Sequence, residues 1–214
     1  MAKARVLITD DHALVAEGLA RILSAEYDVV GISPNGRALL DDAMRLNPDV
    51  VCLDIAMPEL NGIEAAMQLA RTAPRIKIVF VTQQIDLQYL RAAFRAGARA
   101  YVAKQSASQE MLEALRRVLD GRRYISPLMA KEWPNLVHEL QRNPTKFFTD
   151  ALTPRQREVL QLVAEGKTVR EISLALKISP KTVEFHKNGL MNELGLRTTA
   201  DLTRYALANH IIAA

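Results

Sequence analysis

The chain has 214 residues, 49% of them hydrophobic and 24% charged, which is enough for one or two domains with apolar cores. No apolar run approaches membrane-spanning length, and the amino terminus, Met1-Ala2-Lys3-Ala4-Arg5, leads straight into a strand pattern, so the expectation is a soluble cytoplasmic protein with no membrane association. A single cysteine, Cys52, excludes an intrachain disulfide and a thiolate metal cluster, and the net charge of +4 is uneven: −1 over residues 1–120, +3 over 121–149 and +2 over 150–214. A basic carboxy-terminal part points to a polyanionic partner there.

In chain order, Arg5–Thr9 reads as a strand and Ala13–Leu23 as an amphipathic helix with Val15, Leu19, Ile22 and Leu23 on one face. Asp28–Ile32 is a second strand, followed by a helix with Leu39, Ala43 and Leu46 inward. Val50–Leu53 is four apolar residues without polar alternation, the pattern of a strand buried on both faces. A helix with Ile63, Met67 and Ala70, a strand over Ile76–Val81, a helix with Leu87, Leu90 and Phe94, a strand over Arg99–Ala103 and a helix with Met111, Leu115, Val118 and Leu119 complete the series, with stops at Gly97 and Gly121. Five strand-then-helix units in this span predict a doubly wound, five-stranded parallel sheet in an α/β domain over residues 1–121.

Each strand of interest ends in a polar residue. Asp10-Asp11, Asp54, Thr82 and Lys104 follow or close predicted strands and should share the rim where open α/β sheets bind ligands. Taken singly, such residues are usually caps, strand formers or solvated charges; together they suggest phosphoryl transfer to a carboxylate. Asp54 would be the nucleophile, Asp10, Asp11 and Asp54 would hold Mg²⁺ through hard oxygen donors, and Thr82 and Lys104 would contact the phosphoryl oxygens.

Residues 5–121 resemble the receiver domain of bacterial two-component response regulators, with its flavodoxin-like fold, through Asp10-Asp11, the segment Asp54-Ile55-Ala56-Met57-Pro58-Glu59-Leu60-Asn61-Gly62, Thr82 and Lys104. The resemblance implies that Asp54 is phosphorylated by a sensor histidine kinase or a phosphotransfer protein, and that Thr82 and Tyr101 form a switch pair. It departs at Gln83, whose bulk would hinder Thr82 or Tyr101, and at Gln105; Ala56 offers no side chain to orient a water.

Residues 122–149 lose the period, with Pro127, Pro134 and Pro144 interrupting a basic stretch, and are read as a linker with a short helix between Pro134 and Pro144. Trp133 and Phe147-Phe148 should dock on a domain. Residues 150–214 are dense with helix starts: Thr153-Pro154-Arg155-Gln156, the capping box Thr168-Val169-Arg170-Glu171, Ser179-Pro180, and Thr199. A short helix to Leu176, a tight turn and a further helix form a helix-turn-helix pattern in a small all-α domain. In the helix from Pro180, Val183, His186, Leu190 and Leu194 face inward, while Lys181, Glu184, Phe185, Asn188 and Asn192 face out. Asn188, Glu184 and Phe185 suit base edges; Lys181, Thr182 and Lys187 suit the phosphate-facing flank.

Leu152–Leu160 and Thr182–Lys187 resemble the LuxR-type helix-turn-helix, and the two matches together imply a NarL/FixJ-type transcriptional regulator that binds promoter DNA as a homodimer, often through the last helix, here Thr199–Ala208. Two other readings remain: a phosphorylation-independent DNA-binding regulator that uses the receiver for dimerisation, and an aspartate-nucleophile phosphatase. The second would need a general acid two residues after Asp54, where Ala56 stands, so no enzymatic activity is expected.

Overall fold

A computed structural model describes residues 3–134, 152–209 and 211–212. The first unit alternates β1 (Arg5–Thr9), α1 (Ala13–Leu23), β2 (Asp28–Ser33), α2 (Gly36–Leu46), β3 (Val50–Leu53), α3 (Gly62–Thr72), β4 (Lys77–Thr82), α4 (Leu87–Arg95), β5 (Ala98–Ala103), α5 (Ala107–Leu119), β6 (Tyr124–Ile125) and α6 (Pro127–Glu132). All strand pairs are parallel, in the order β2-β1-β3-β4-β5-β6.

Strand periodicity divides the core into two layers. Leu7, Val51, Leu53, Ile78, Phe80 and Tyr101 point to the face covered by α2, α3 and α4. Val6, Ile8, Val50, Cys52, Val79, Val81 and Val102 point to the face covered by α1 and α5. Successive residues go to opposite sides of a sheet, so burial on both sides yields the unalternating apolar runs seen in the sequence. Cys52 is packed in that interior, and burial pushes its thiol up to about 12.

The sheet has six strands, not five. Tyr124 and Ile125 pair with Ala100 and Tyr101, and α6 folds back so that Met129 joins the core and Trp133 packs against it. Ser126 ties this end down: its N–H donates to the Tyr101 carbonyl at 2.9 Å and its hydroxyl accepts from the Ala103 N–H at 3.0 Å. The stretch from Arg122 to Trp133 thus packs on the first unit. The helix expected between Pro134 and Pro144, and Phe147-Phe148, lie outside the described residues.

The second unit comprises α7 (Pro154–Ala164), α8 (Val169–Leu176), α9 (Pro180–Leu194) and α10 (Thr199–Ala208), around a separate core that includes Val159, Leu162, Ile172, Val183, Leu190 and Leu202. Its helix starts are set by side chains. Thr153 and Gln156, Thr168 and Glu171, and Thr198 and Asp201 each form reciprocal capping boxes, and Ser179 accepts from the Thr182 N–H. Lys177 and Gly195 close α8 and α9 in the left-handed conformation. Thr168→Ala is expected to cost about 1 kcal/mol, read as an earlier urea midpoint for loss of the carboxy-terminal helices; a shift below a few tenths would show that the cap is dispensable.

Candidate functional site

Strand register brings the site together. Thr9 lies level with Leu53, and Thr82 with Ala103, so Asp10, Asp54 and Lys104 each emerge one residue past a paired position. The Asp54 N–H donates to the Thr9 carbonyl at 2.9 Å and the Asp10 N–H to the Ser33 carbonyl at 3.2 Å, which holds the strand ends in line. β1 lies between β2 and β3, where the order reverses and the crossovers diverge to leave a crevice.

Asp54 is 3% exposed. Lys104 Nζ donates to Asp54 Oδ2 at 2.6 Å and contacts Asp10 Oδ2 at 2.7 Å, so one ammonium is shared between two buried carboxylates. The remaining oxygens are held by the backbone: Ile55 N–H donates to Asp54 Oδ1 at 2.7 Å and His12 N–H to Asp10 Oδ1 at 2.9 Å. Burial raises the Asp54 carboxyl above its usual range, against the opposing pull of Lys104. Burial alone would lower Lys104, but its bonds to Asp10 and Asp54 outweigh that and raise it.

Thr82 is buried, and its hydroxyl accepts from the Gln84 N–H at 3.2 Å. Tyr101 is also buried, with its hydroxyl donating to the Gln84 carbonyl at 2.6 Å. The two residues expected to act as a pair are therefore joined through one peptide segment after β4. Burial, then the Asp54 charge, holds the Tyr101 phenol well above its usual range, so it is a proton donor throughout the neutral range. Gln83 is exposed and, with Gln105, Thr82, Lys104, Val15 and Ile85, lines a rim cleft of about 460 Å³ rather than filling the space around Tyr101.

Asp11 stands at the outer edge of the rim. Ligand atoms of Asp10, Asp11, Asp54 and His12 lie within 4.8 Å of one another. His12, which the sequence reading passed over, has Nδ1 at 2.9 Å from Asp11 Oδ1 and 3.3 Å from Asp10 Oδ1. Its only signal was adjacency to Asp11. Three carboxylates, those of Asp10 and Asp54 buried and that of Asp11 exposed, fit a hard divalent cation.

In the second unit, α8 and α9 flank the turn Lys177-Ile178-Ser179. Lys181, Glu184, Phe185, Asn188 and Asn192 are exposed on α9, and Phe185 is 73% exposed. Thr182 is half-buried with its hydroxyl 2.8 Å from that of Ser179, and Lys187 donates to the Thr199 hydroxyl at 3.1 Å. These two belong to the helix start and to packing against α10, so Lys187 does not stand free. His186 is half-buried, edge-on to Phe185 at 5.7 Å.

Two family models match the chain: the response regulator receiver domain over residues 6–116, and the bacterial regulatory proteins of the luxR family over residues 150–206. The chain belongs to the NarL/FixJ-type response regulators. It is similar to the response regulator GacA of Pseudomonas aeruginosa, 34% identical over 98% of each chain, and to the oxygen regulatory protein NreC of Staphylococcus aureus, 33% identical over 97% of this chain and 99% of that one. Among solved structures it is similar to the RcsB response regulator of Salmonella typhimurium, with a TM-score of 0.62 and 26% identity over 98% of this chain and 99% of that one. The regulator is accordingly a DNA-binding transcriptional protein and not an enzyme. Among its described residues no helix is long and apolar enough to cross a membrane.

Proposed function

We propose that the regulator accepts a phosphoryl group on Asp54 from a sensor histidine kinase or a phosphotransfer protein in the cytoplasm, and that the modified form binds promoter DNA as a homodimer. The observation that carries this reading is the buried Asp54 carboxylate, sharing the Lys104 ammonium with Asp10 at one end of the sheet. On transfer, a bond forms between an Asp54 oxygen and phosphorus as the donor's bond to phosphorus breaks and its leaving group departs. Asp10, Asp11 and Asp54 would hold Mg²⁺, which supplies charge neutralisation for an anionic donor. Lys104 and the Thr82 hydroxyl, whose residues line the same cleft, would meet the phosphoryl oxygens. Movement of Thr82 would be felt by Tyr101 through their common partner Gln84. On α9, Asn188, Glu184 and Phe185 would meet base edges, with Lys181 on the phosphates and Thr182 and Lys187 fixing the helix.

One feature favours a second reading. The α9 face stays exposed while α7 is in contact with the first unit, as a phosphorylation-independent regulator would require. Intact mass after incubation with Mg²⁺ and a small acyl phosphate separates the two. A phosphoryl adduct is expected on wild type and none on Asp54→Asn, with tighter promoter binding by the labelled protein. Equal promoter binding with and without adduct would favour the second reading, and no adduct on either folded protein would remove the first.

A further inference from the structure

α4 contains no acidic residue, yet it sets Arg91 and Arg95 one turn apart on the same side. Like charges four residues apart on a helix repel, so the pair costs stability unless something offsets it. Arg95 stands in the last turn, where it meets the negative end of the helix; Arg91, in the middle, has no such offset. The Nε of Arg91 is enclosed and has no hydrogen-bond partner among the described residues. An enclosed donor without an acceptor is unfavourable, and more so on a cation.

Both guanidinium groups line a cavity of about 350 Å³ where the two units meet, a size at the lower end of the range that holds small organic ligands. α3 and α4 form one wall, and Leu152, Arg157 of α7 and Tyr205 of α10 form the other. Hydrogen bonds beside the cavity hold the walls at this width. Gln161 Nε2 donates to the Met57 carbonyl at 3.1 Å, Gln161 Oε1 accepts from the Asn61 N–H at 2.8 Å, and Asn61 Nδ2 donates to the Ile211 carbonyl at 2.9 Å. Glu158 of α7 accepts from Gln68 at 2.6 Å and from Arg37 at 3.3 Å. Three arginines and one carboxylate line the cavity, and that carboxylate, Glu64, is paired with Arg157 at 3.1 Å. The α4 pair is therefore a surplus of positive charge, set beside apolar surface from Ile63, Met67 and Leu87.

A guanidinium group is a planar fork that takes a carboxylate through two parallel hydrogen bonds. Two forks one helical turn apart, about 5.4 Å along the axis, call for two carboxylates joined by a short hydrocarbon. A monocarboxylate satisfies only one of them. A compact phosphate would also occupy one fork and leave the apolar wall unmatched. We propose that this cavity binds a small dicarboxylate, with its carboxylates on Arg91 and Arg95 and its hydrocarbon against Ile63, Met67 and Leu87. The regulator then carries a small-molecule site separate from Asp54, and the inference does not rest on Asp54 being the acceptor.

The test uses the full chain without divalent cations, in isothermal titration calorimetry and thermal melts at constant ionic strength, with succinate, acetate and inorganic phosphate as probes. Wild type is compared with Arg91→Gln, Arg91→Lys, Ala92→Leu, which adds bulk to the cavity wall, and Arg45→Gln, a change on the exposed surface of α2 away from the cavity. Succinate is expected to fill one saturable site on wild type, more tightly than acetate or phosphate, and to raise its melting midpoint. Arg91→Gln and Ala92→Leu should each weaken succinate about tenfold or more. Arg91→Lys should weaken it by less, because it keeps the charge and loses the fork, and Arg45→Gln should leave it unchanged. No saturable succinate binding to folded wild type overturns the inference. Succinate binding that survives both Arg91→Gln and Ala92→Leu also overturns it, and if Arg91→Gln fails to fold, unchanged binding by Ala92→Leu does so alone. Phosphate binding tighter than succinate overturns the dicarboxylate and gives the cavity to a phosphate-bearing ligand.

Discussion

Gly62→Ala is expected to destabilise the receiver by about 3 kcal/mol or more and to abolish the phosphoryl adduct. A Cβ at position 62 would lie 1.9 Å from the Asp54 carbonyl oxygen, 2.9 Å from its carbon and 3.0 Å from Ile55 Cα. All three are backbone atoms, so no side-chain rotation can make room. The methyl must push the Asp54 peptide away from α3, and that displaces the carboxylate from Lys104. Gly36 occupies an equivalent position from the other side: its Cβ would sit 2.3 Å from the Leu60 carbonyl oxygen. The segment after Asp54 is wedged between two helix starts that must both be bare. Gly18→Ala is the matched control, because nothing lies within 4 Å of its Cβ on α1. It should gain up to about 1 kcal/mol from helix propensity. Urea unfolding of the two variants beside wild type tests the contrast; equal midpoints would show that the Asp54 segment yields more easily than its packing implies.

The rim was legible because each of its residues terminates a strand long enough to announce itself. Val50–Leu53 and Lys77–Thr82 have no polar interruption, and their final residues fix where Asp54 and Thr82 must stand. Capping chemistry was equally local, so Thr153 with Gln156 and Thr168 with Glu171 could be paired from spacing alone. β6 was not legible, since two residues carry no period and Tyr124 and Ile125 become a strand only by pairing with β5. The same limit hid the hydrogen bonds of Gln161 to Met57 and Asn61 in the segment after Asp54. Glu158 and Gln161 lie on a helix whose apolar face is satisfied inside its own domain, and a polar residue on the other face reads as solvated. Only a second domain, remote in sequence, turns that face into a buried one. The Thr82–Tyr101 connection was half visible: the residues could be named, but their meeting at Gln84 depends on how the chain turns after β4.

Lys104→Met should produce a large loss of stability in the absence of divalent cations, about 3–5 kcal/mol, because it removes one partner of a buried charge cluster. Asp10 and Asp54 have side chains 5% and 4% exposed, and Lys104 is the cation they share. Methionine fills the space but leaves two enclosed carboxylates facing each other. The deficit should depend on pH. Asp54 is already raised above its unfolded value of 3.8, first by burial, and loss of Lys104 raises it further. For an acid whose folded value exceeds its unfolded one, the ionised form is the disfavoured one in the native state. The penalty is therefore full above the folded value and fades as pH falls through it towards 3.8. Wild type keeps its ion pair across the neutral range, since Lys104 is raised above 10.5, and on the alkaline side loses that contribution as pH climbs through the raised value. Thermal melts of Lys104→Met and wild type should thus diverge most near neutral and mildly alkaline pH and converge on acidification. Mg²⁺ should recover more of the variant's deficit than it adds to wild type, because it supplies the missing positive charge to Asp10, Asp11 and Asp54. A deficit that stays constant between pH 4 and pH 8, with no recovery in Mg²⁺, would mean that the two carboxylates do not depend on a shared cation. The Asp54 site would then lose the feature that most distinguishes it from an ordinary pair of strand-end caps.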